Sequence, residues 1–206
     1  MCQNGTNPFP RITLTALDST DYFLTTHRTI VSFLYPLIFI SFMVFYIIIR
    51  GPLGCGKSTT AKRLSKILKA KYFAIDKVLD EYDLTKDKEE GYISQKSFKK
   101  ANEIIAPRAK DALDKKKLII FDGNFYWKSQ IEDLISRLNF QHYVFTLKAP
   151  LEVCIRRDIE RGKTHGEDAT KVVFKKSTEF NYGIVININR PLNVCLKEII
   201  SYLPKV

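Results

Sequence analysis

The chain has 206 residues, 45% of them hydrophobic, which suits one α/β domain with an additional segment and would be cramped for two full domains. Its formal net charge of +11 lies entirely in residues 43–206, because two arginines and two aspartates cancel before that point. This excess favours an anionic ligand, such as a nucleotide, a phosphorylated metabolite or nucleic acid; a solvated lysine-rich surface is the competing explanation. Four widely spaced cysteines without a C-x-x-C pair argue against a zinc site or a disulfide framework and suit a reducing cytosol.

The first feature along the chain is an uncharged run of twenty residues, Ile30 to Ile49, long enough to resemble a membrane span. Its last part, Val44 to Ile49, is also an apolar, β-branched strand candidate, and one segment cannot serve both purposes. We therefore predict that residues 1–42 are an appended or misassigned hydrophobic extension and that residues 43–206 form the domain. A membrane anchor through residues 30–43 is the alternative. The expected location is the cytoplasm, or a membrane if the extension is genuine.

The sequence Gly51 to Ser58 matches G-x-x-x-x-G-K-[ST] in full. A strand precedes it and an apolar helical pattern follows it, which is the order that a phosphate-binding loop requires. Glycines let backbone amides face phosphate oxygens, and the helix N-terminus adds partial positive charge. The lysine can reach the β- and γ-phosphates, and the serine hydroxyl can bind Mg²⁺. The candidate nucleotide-binding residues are therefore Gly51, Gly54, Cys55, Gly56, Lys57, Ser58 and Thr59.

With this loop, the stretch "IIIRGPLGCGKST" resembles the small P-loop kinases related to adenylate, shikimate and gluconate kinases, polynucleotide kinase and zeta toxins. The resemblance covers residues 43–206. It implies a P-loop NTPase fold and an enzyme that uses ATP and Mg²⁺.

Four further strand candidates alternate with helical patterns, which predicts an α/β fold with a doubly wound, five-stranded parallel sheet, helices on both faces and a short lid. These strands are Tyr72–Ile75, Lys117–Phe121, His142–Leu147 and Gly183–Ile188. In such sheets ligands bind at the carboxyl ends of the strands, so the polar residues that follow each strand are the candidates for chemistry.

Asp122 ends the buried strand of "LIIFDGNF", where a carboxylate can orient Mg²⁺ directly or through water. Asp122-Gly123 also resembles the Asp-Gly of nucleoside monophosphate kinases. Asn124 and Phe125 replace the Pro-Arg of that pattern, which argues against a nucleoside monophosphate acceptor. A simple turn or capping role for Asp122 is the structural alternative.

Asp76 follows the second predicted strand in "YFAID". In the kinases that the chain resembles, a carboxylate here contacts the acceptor hydroxyl, as a base or an orienting group. In polynucleotide kinases it begins an Asp-x-x-Arg pattern, but Leu79 stands at the fourth position here. Capping of the next helix is the alternative, and Asp80 and Glu81 compete for the catalytic role.

Arg157 and Arg161 lie four residues apart on a helix that follows the fourth predicted strand. The resemblance assigns such a pair to a lid that neutralises charge on the transferred phosphoryl group. Pairing with the neighbouring Asp158 and Glu160 is the alternative. The polar stretch Lys163 to Glu167 is predicted to be the lid tip, with His165 facing solvent rather than acting as a base.

The acceptor segment between Asp76 and Lys116 contains a charged stretch and a helix with Pro107, which is predicted to kink or start that helix. Candidate acceptor contacts are Tyr92, Phe98, Lys99 and Lys100, although a solvated basic face is the simpler interpretation.

These features together predict an ATP- and Mg²⁺-dependent phosphotransferase acting on a small molecule or a nucleotide, with Lys57, Asp76, Arg157 and Arg161 as catalytic residues and Ser58 and Asp122 as metal ligands. A 5′-hydroxyl nucleic-acid kinase and a non-catalytic nucleotide-binding switch are the alternatives.

Overall fold

A computed structural model describes residues 44–162 and 166–204, and the predicted extension and most of the lid tip lie outside these ranges. The five strands β1 (Phe45–Arg50), β2 (Lys71–Ala74), β5 (Ile119–Asp122), β6 (Gln141–Lys148) and β7 (Ile184–Asn187) form one parallel sheet in the order β2-β5-β1-β6-β7. A short antiparallel hairpin joins β3 (Lys88–Glu89) to β4 (Tyr92–Ile93). The predicted doubly wound parallel sheet is confirmed.

The described helices are α1 (Lys57–Ile67), α2 (Ile75–Glu81), α3 (Gln95–Asp114), α4 (Lys128–Leu138), α5 (Leu151–Glu160), α6 (Glu167–Thr178) and α7 (Leu192–Ser201). The helices lie on both faces of the sheet, and each face has its own apolar core. Side chains of α3 and α4 pack on one face of the sheet, and side chains of α1 and α7 pack on the other. No helix in the described part of the chain is both long and apolar enough to cross a membrane.

Strand β1 is central, and all six of its residues are buried. Tyr46 and Ile48 join the core under α3 and α4, whereas Phe45, Ile47 and Ile49 join the core under α1 and α7. Both faces of a central parallel strand are covered by helices, so its residues are apolar on both sides. This explains why the strand resembles a membrane segment in the sequence.

The register of the sheet brings the candidate residues to one edge. Asp122 is paired with Ile49 of β1 on one side and with Ala74 of β2 on the other. The phosphate loop begins two residues after Ile49, and Asp76 lies two residues after Ala74. The phosphate loop, the start of α2 and the end of β5 are far apart in the sequence but therefore lie side by side at one edge of the sheet.

Three local details differ from the sequence-based expectations. The hairpin was not predicted, because its strands have only two residues each. Pro107 was predicted to kink or start its helix; it lies inside α3, which begins at Gln95, so only the second alternative is excluded. The spacing of Ser129 and Glu132 predicts a capping box, but helix α4 begins at Lys128, and the hydroxyl of Ser129 donates to the side chain of Gln95 instead.

Candidate active site

The loop between β1 and α1 depends on glycine at positions that other residues could not occupy without strain. Gly54 has a φ of +75°, and a Cβ there would lie 2.1 Å from the carbonyl oxygen of Cys154. Gly56, the residue before α1, has a φ of +104°. No side chain caps this helix within the described residues, so its first amides remain available to an anion.

Lys57 places a positive charge inside this loop. Its side chain is only 6% exposed, and its ammonium group donates to the carbonyl oxygen of Pro52 over 2.8 Å. The lysine is therefore held against the backbone of the loop by a contact that a phosphate oxygen can replace. Ser58 and Thr59 follow it in the first turn of α1, with Ser58 half-buried and Thr59 exposed.

Asp122, at the end of β5, is 4% exposed and only half satisfied by hydrogen bonds. Its Oδ2 accepts a hydrogen bond of 2.8 Å from the hydroxyl of Tyr72, and its buried Oδ1 has no partner within the described chain. Burial and the charge of Asp122 raise the pKa of Tyr72, which keeps the phenol protonated as a donor, while Ser58 acts weakly in the opposite direction. A buried carboxylate oxygen without a protein partner is a group that a bound ion or water molecule would satisfy.

These groups fit Mg²⁺ rather than a metal held by the protein alone. The described residues contain no cluster of three or more His, Cys, Asp or Glu side chains that could hold an ion. Mg²⁺ is commonly bound by one or two protein oxygens, substrate phosphates and water. The free Oδ1 of Asp122 and the hydroxyl of Ser58 supply that number of protein oxygens.

Asp76 lies in the first turn of α2 and not at the end of a strand, because β2 ends at Ala74 and the helix begins at Ile75. Its Oδ1 accepts a hydrogen bond of 3.4 Å from the backbone amide of Asn124, so the carboxylate is directed at the end of β5 and does not cap its own helix. Burial raises the pKa of Asp76 to about 6; Lys57 lowers it and Asp122 raises it further. The competitors Asp80 and Glu81 are exposed.

Arg157 and Arg161 lie on the other side of the loop. Arg157 donates to the carbonyl oxygens of Cys55 over 3.0 Å and Ile188 over 3.3 Å, which ties α5 to the loop and to the end of β7. Arg161 is exposed at the C-terminal end of α5. Both line a cavity of about 170 Å³ together with Gly56 and Thr59. Glu160, one of the predicted alternative partners, instead pairs with Arg156 at 3.8 Å.

The lid tip cannot be compared with its prediction, because residues 163–165, including His165, lie outside the described ranges.

Helix α6 follows the lid, and its C-terminal end is anchored by Arg50, the last residue of β1. This arginine is fully buried and donates to the carbonyl oxygens of Ser177, Phe180 and Phe125 and to the hydroxyl of Thr146. Burial lowers its pKa to about 10, which leaves it charged at neutral pH.

Sequence reasoning missed both Arg50 and Tyr72. A charge at the end of an otherwise apolar central strand was a usable signal for Arg50, since a buried cation requires many acceptors. Tyr72 gave no such signal, because an aromatic residue is ordinary in a strand.

The hairpin lies within the segment that the sequence analysis assigns to the acceptor, and it contacts the residues after β5. The indole of Trp127 donates to the carbonyl oxygen of Ile93 over 2.8 Å, and the ammonium of Lys176 lies 4.1 Å from the centre of the Trp127 ring. Lys176 also pairs with Glu90 of the hairpin at 2.8 Å. These contacts connect the hairpin to α6, the helix that follows the lid.

Of the four candidate acceptor contacts, Phe98 was wrong, because it is fully buried in the core beside Tyr126. Tyr92 is half-buried in the hairpin. Lys99 and Lys100 are exposed, and Lys100 pairs with Glu103 at 2.9 Å, as on a solvated basic face. Asn124 has a buried Oδ1 without a partner in the described chain.

Comparisons with known proteins show what the chain is similar to. A family model described as an AAA domain matches residues 47–180. An L-seryl-tRNA(Sec) kinase from Methanococcus maripaludis is 29% identical over 138 residues, which cover 63% of this chain and 51% of that protein. The chain thus spans about half the length of this curated relative.

Two solved structures share the fold at low sequence identity. A gluconokinase from Sinorhizobium meliloti 1021 superposes with a TM-score of 0.62 at 13% identity, covering 78% of this chain and 91% of that one. The Mycobacterium tuberculosis APS kinase, solved with AMPPNP and APS, gives 0.60 at 14% identity, with coverage of 77% and 96%. The family model covers more than half of the chain, so the chain belongs to the AAA domain family, and the solved structures show that it shares the fold of these kinases.

Proposed function

We propose that the protein is an ATP- and Mg²⁺-dependent kinase that transfers the γ-phosphoryl group to a hydroxyl of its acceptor. The observation that carries the proposal is the convergence of three groups at one edge of the sheet. These are the buried ammonium of Lys57, the unpaired Oδ1 of Asp122 and the carboxylate of Asp76, whose pKa is raised to about 6. They match the three tasks of phosphoryl transfer, which are binding the donor, holding the metal and orienting the nucleophile.

The donor is bound chiefly by backbone and positive charge. The open amides at the start of α1 hold phosphate oxygens, and Lys57 exchanges its contact with Pro52 for a phosphate oxygen. Arg161 is free to reach the phosphoryl group from the exposed end of α5, whereas Arg157 already gives its hydrogen bonds to Cys55 and Ile188. We therefore assign charge neutralisation mainly to Arg161 and the positioning of α5 mainly to Arg157.

Ser58 and Asp122 hold Mg²⁺, which when bound neutralises the phosphate oxygens that gain charge during transfer. Tyr72 occupies Oδ2 of Asp122 and so leaves Oδ1 as the free oxygen. The phenol thus acts on the metal site through the carboxylate. It orients Asp122 without supplying a ligand itself.

Asp76 orients the acceptor hydroxyl and accepts its proton. A pKa of about 6 leaves the carboxylate mostly ionised at neutral pH, yet more basic than an ordinary aspartate. The Asn124 amide fixes one carboxylate oxygen, so the other is free for the acceptor. As pH falls through about 6, Asp76 becomes protonated and its capacity as a base is lost.

For the acceptor, we propose a hydroxyl carried on tRNA, as in the name of the seryl-tRNA kinase that this chain resembles over 138 residues. A second observation favours it over a small anionic acceptor. Phe125 is fully buried and stands where the pattern of nucleoside monophosphate kinases has arginine. The wall beside Asp76 therefore offers carboxylate and amide oxygens instead of guanidinium groups.

A phosphate-transfer screen with γ-labelled ATP tests the proposal. Acceptors are seryl-tRNA, deacylated tRNA, free serine, gluconate, nucleosides, nucleotides and 5′-hydroxyl oligonucleotides. We expect label on seryl-tRNA that is released with the aminoacyl group on mild alkaline hydrolysis. Label on 5′-hydroxyl oligonucleotides alone would indicate a polynucleotide kinase, and slow ATP hydrolysis indifferent to every acceptor would indicate a nucleotide-binding switch.

A further inference from the structure

Helix α1 carries a row of exposed cations that have no acidic partner. Lys62, Arg63 and Lys66 are exposed on the helix, and Lys69 is exposed just after it. The sequence from Gly51 to Ile75 contains no aspartate or glutamate. Within residues 44–162 and 166–204, none of these four cations forms an ion pair; Lys62 lies 5.9 Å from the centre of the Tyr72 ring instead.

Other helices on the surface are built differently. Helices α3 to α6 each hold at least one ion pair between residues three or four apart, namely Lys100–Glu103, Lys128–Glu132, Arg156–Glu160 and Lys171–Glu167. Alternating charges of this kind weaken the field at a helix surface, whereas charges of one sign reinforce it. The α1 face is therefore a local source of positive potential.

The cations of α1 line a groove and do not simply point into solvent. Lys62, Arg63 and Lys66 form one side of a groove of about 550 Å³, and Leu192, Asn193 and Leu196 of the α7 side form the other. Thr59 and Leu192 also line the smaller cavity that contains Arg157 and Arg161. The groove is thus continuous with the cavity beside the phosphate loop.

The length of the row indicates the size of its ligand. From Thr59 to Lys66, the part of α1 that lines the groove, the helix rises about 10 Å at the spacing of 1.5 Å per residue. A single phosphate would contact only one end of such a row, while a nucleic-acid strand presents a negative charge about every 3.4 Å along its axis. On the opposite wall, the leucine side chains can pack against sugars, and the Asn193 amide can form hydrogen bonds with base edges.

We propose that the groove between α1 and α7 binds the phosphate backbone of an RNA whose reacting end is the kinase acceptor. This deepens the proposed function and rests on it for the link between RNA and phosphoryl transfer. A lipid surface is the less suitable partner, because the cations lie along a concave groove and a bilayer would contact a flat or convex face.

Binding of fluorescent, unfractionated tRNA to the full chain tests the proposal without ATP. The test variant is Lys62→Ala/Arg63→Ala/Lys66→Ala. The matched control, Lys115→Ala/Lys128→Ala/Lys171→Ala, removes the same charge from exposed cations that are paired on other helices. Titrations at several salt concentrations give the slope of log K against log salt, and melting temperature and ATP-analogue binding report whether each variant is folded.

We expect the test variant to bind tRNA at least 10-fold more weakly and with a slope smaller by about two, because each lost phosphate contact removes about 0.7 to 0.9 from the slope. The control should bind nearly as the wild type does, and Lys62→Arg/Lys66→Arg should retain binding. Equal losses in the test and control variants would overturn the proposal, because the effect would then follow net charge alone.

Vesicles of phosphatidylserine and phosphatidylcholine provide the second comparison. Loss of vesicle binding in the test variant, with tRNA affinity unchanged, would also overturn the proposal and assign the groove to a membrane. Groove-dependent tRNA binding without phosphate transfer to any acceptor would support the groove and contradict the proposed kinase activity. Phosphate transfer to a small acceptor without tRNA binding would support the kinase activity and contradict the proposal for the groove.

Discussion

The proposed donor side and the proposed acceptor side of the site are assembled in different ways. The donor side is one contiguous segment, Gly51 to Thr59, in which backbone geometry and a single lysine define the binding surface. The acceptor side combines Asp76 from α2, Asn124 after β5 and a hairpin that packs on α6. Asp122 and Asn124, which follow one another closely at the end of β5, each have a buried oxygen without a partner among the described residues, as do several groups elsewhere in the chain.

This contrast implies that the two sides fail differently when they are changed. A defect on the donor side should abolish ATP hydrolysis and phosphate transfer together, since both begin with the same bound triphosphate. A defect on the acceptor side should reduce transfer and leave hydrolysis by water largely intact. The following predictions use this difference, from the largest expected effect to the smallest.

Lys57→Ala should reduce kcat by about 100- to 1,000-fold, because the variant lacks a preorganised charge where the transition state is most anionic. Hydrolysis and transfer should fall in parallel. Steady-state kinetics at saturating ATP measures the effect, with a thermal melt to verify folding. Turnover near the wild-type level would remove Lys57 from the mechanism.

Asp76→Asn should slow transfer about 100-fold while ATP affinity is retained, because the amide cannot accept the acceptor's proton. The wild-type transfer rate should decline as pH falls through about 6, and this inflection should be missing in the variant. An unchanged pH profile would move the role to Asp80, Glu81 or Asp122.

The same substitution should raise the melting temperature at pH 7. Folding raises the pKa of Asp76 from 3.8 to about 6, so the folded state is penalised by the charged carboxylate above about pH 6. The penalty fades as pH falls toward 3.8, and the variant should then lose its advantage. Melting curves of both proteins across this range measure it, and a lower melting temperature of the variant at pH 7 would contradict the burial argument.

Much of the donor side could be predicted from the sequence, because its residues are neighbours in the chain. The loop motif, Asp122 and the parallel sheet all follow from local patterns. The acceptor side could not be predicted to the same degree. The contact between Asp76 and Asn124 and the ion pair between Lys176 and Glu90 each join residues more than forty positions apart. Phe98 was assigned to the acceptor because its core packing depends on such distant contacts.

Arg161→Ala should reduce kcat about 10-fold or more with little change in the KM for ATP, if the exposed guanidinium meets the phosphoryl group mainly in the transition state. Arg157→Ala should instead destabilise the fold by about 1–3 kcal/mol, because Arg157 holds two backbone carbonyls of the loop and β7. Kinetics and chemical denaturation separate the two effects. Equal kinetic and stability losses in both variants would contradict this division of roles.

Tyr72→Phe should weaken Mg²⁺ binding about 3- to 10-fold, because the phenol acts on the metal only through Asp122 and an ordinary hydrogen bond contributes about 1 kcal/mol. Titration of Mn²⁺ in the presence of ADP, followed by electron paramagnetic resonance, measures this without catalysis. Tyr202→Phe, on an exposed tyrosine, is the control. Unchanged metal affinity would show that Asp122 is oriented by the strand alone.

The smallest effect should come from removing residues 1–42. We propose that a chain beginning at Met43 retains the melting temperature and ATP affinity of the full protein, because the sheet and loop start with β1. Membrane fractionation of both forms tests the anchor alternative. An unfolded shorter chain, or a full chain released from membranes only by detergent, would contradict the proposal.

The central claim is that one site has a donor side and an acceptor side that can be impaired separately. The most direct test measures, in a single turnover, how much of the phosphoryl group of ATP goes to water and how much to the acceptor. Labelled ATP is mixed with excess enzyme and seryl-tRNA, and free phosphate and phosphorylated acceptor are both quantified for the wild type, Lys57→Ala and Asp76→Asn. We predict that Lys57→Ala loses both products, whereas Asp76→Asn loses only the phosphorylated acceptor and keeps slow hydrolysis. Equal loss of both products in Asp76→Asn would contradict the assignment of Asp76 to the acceptor.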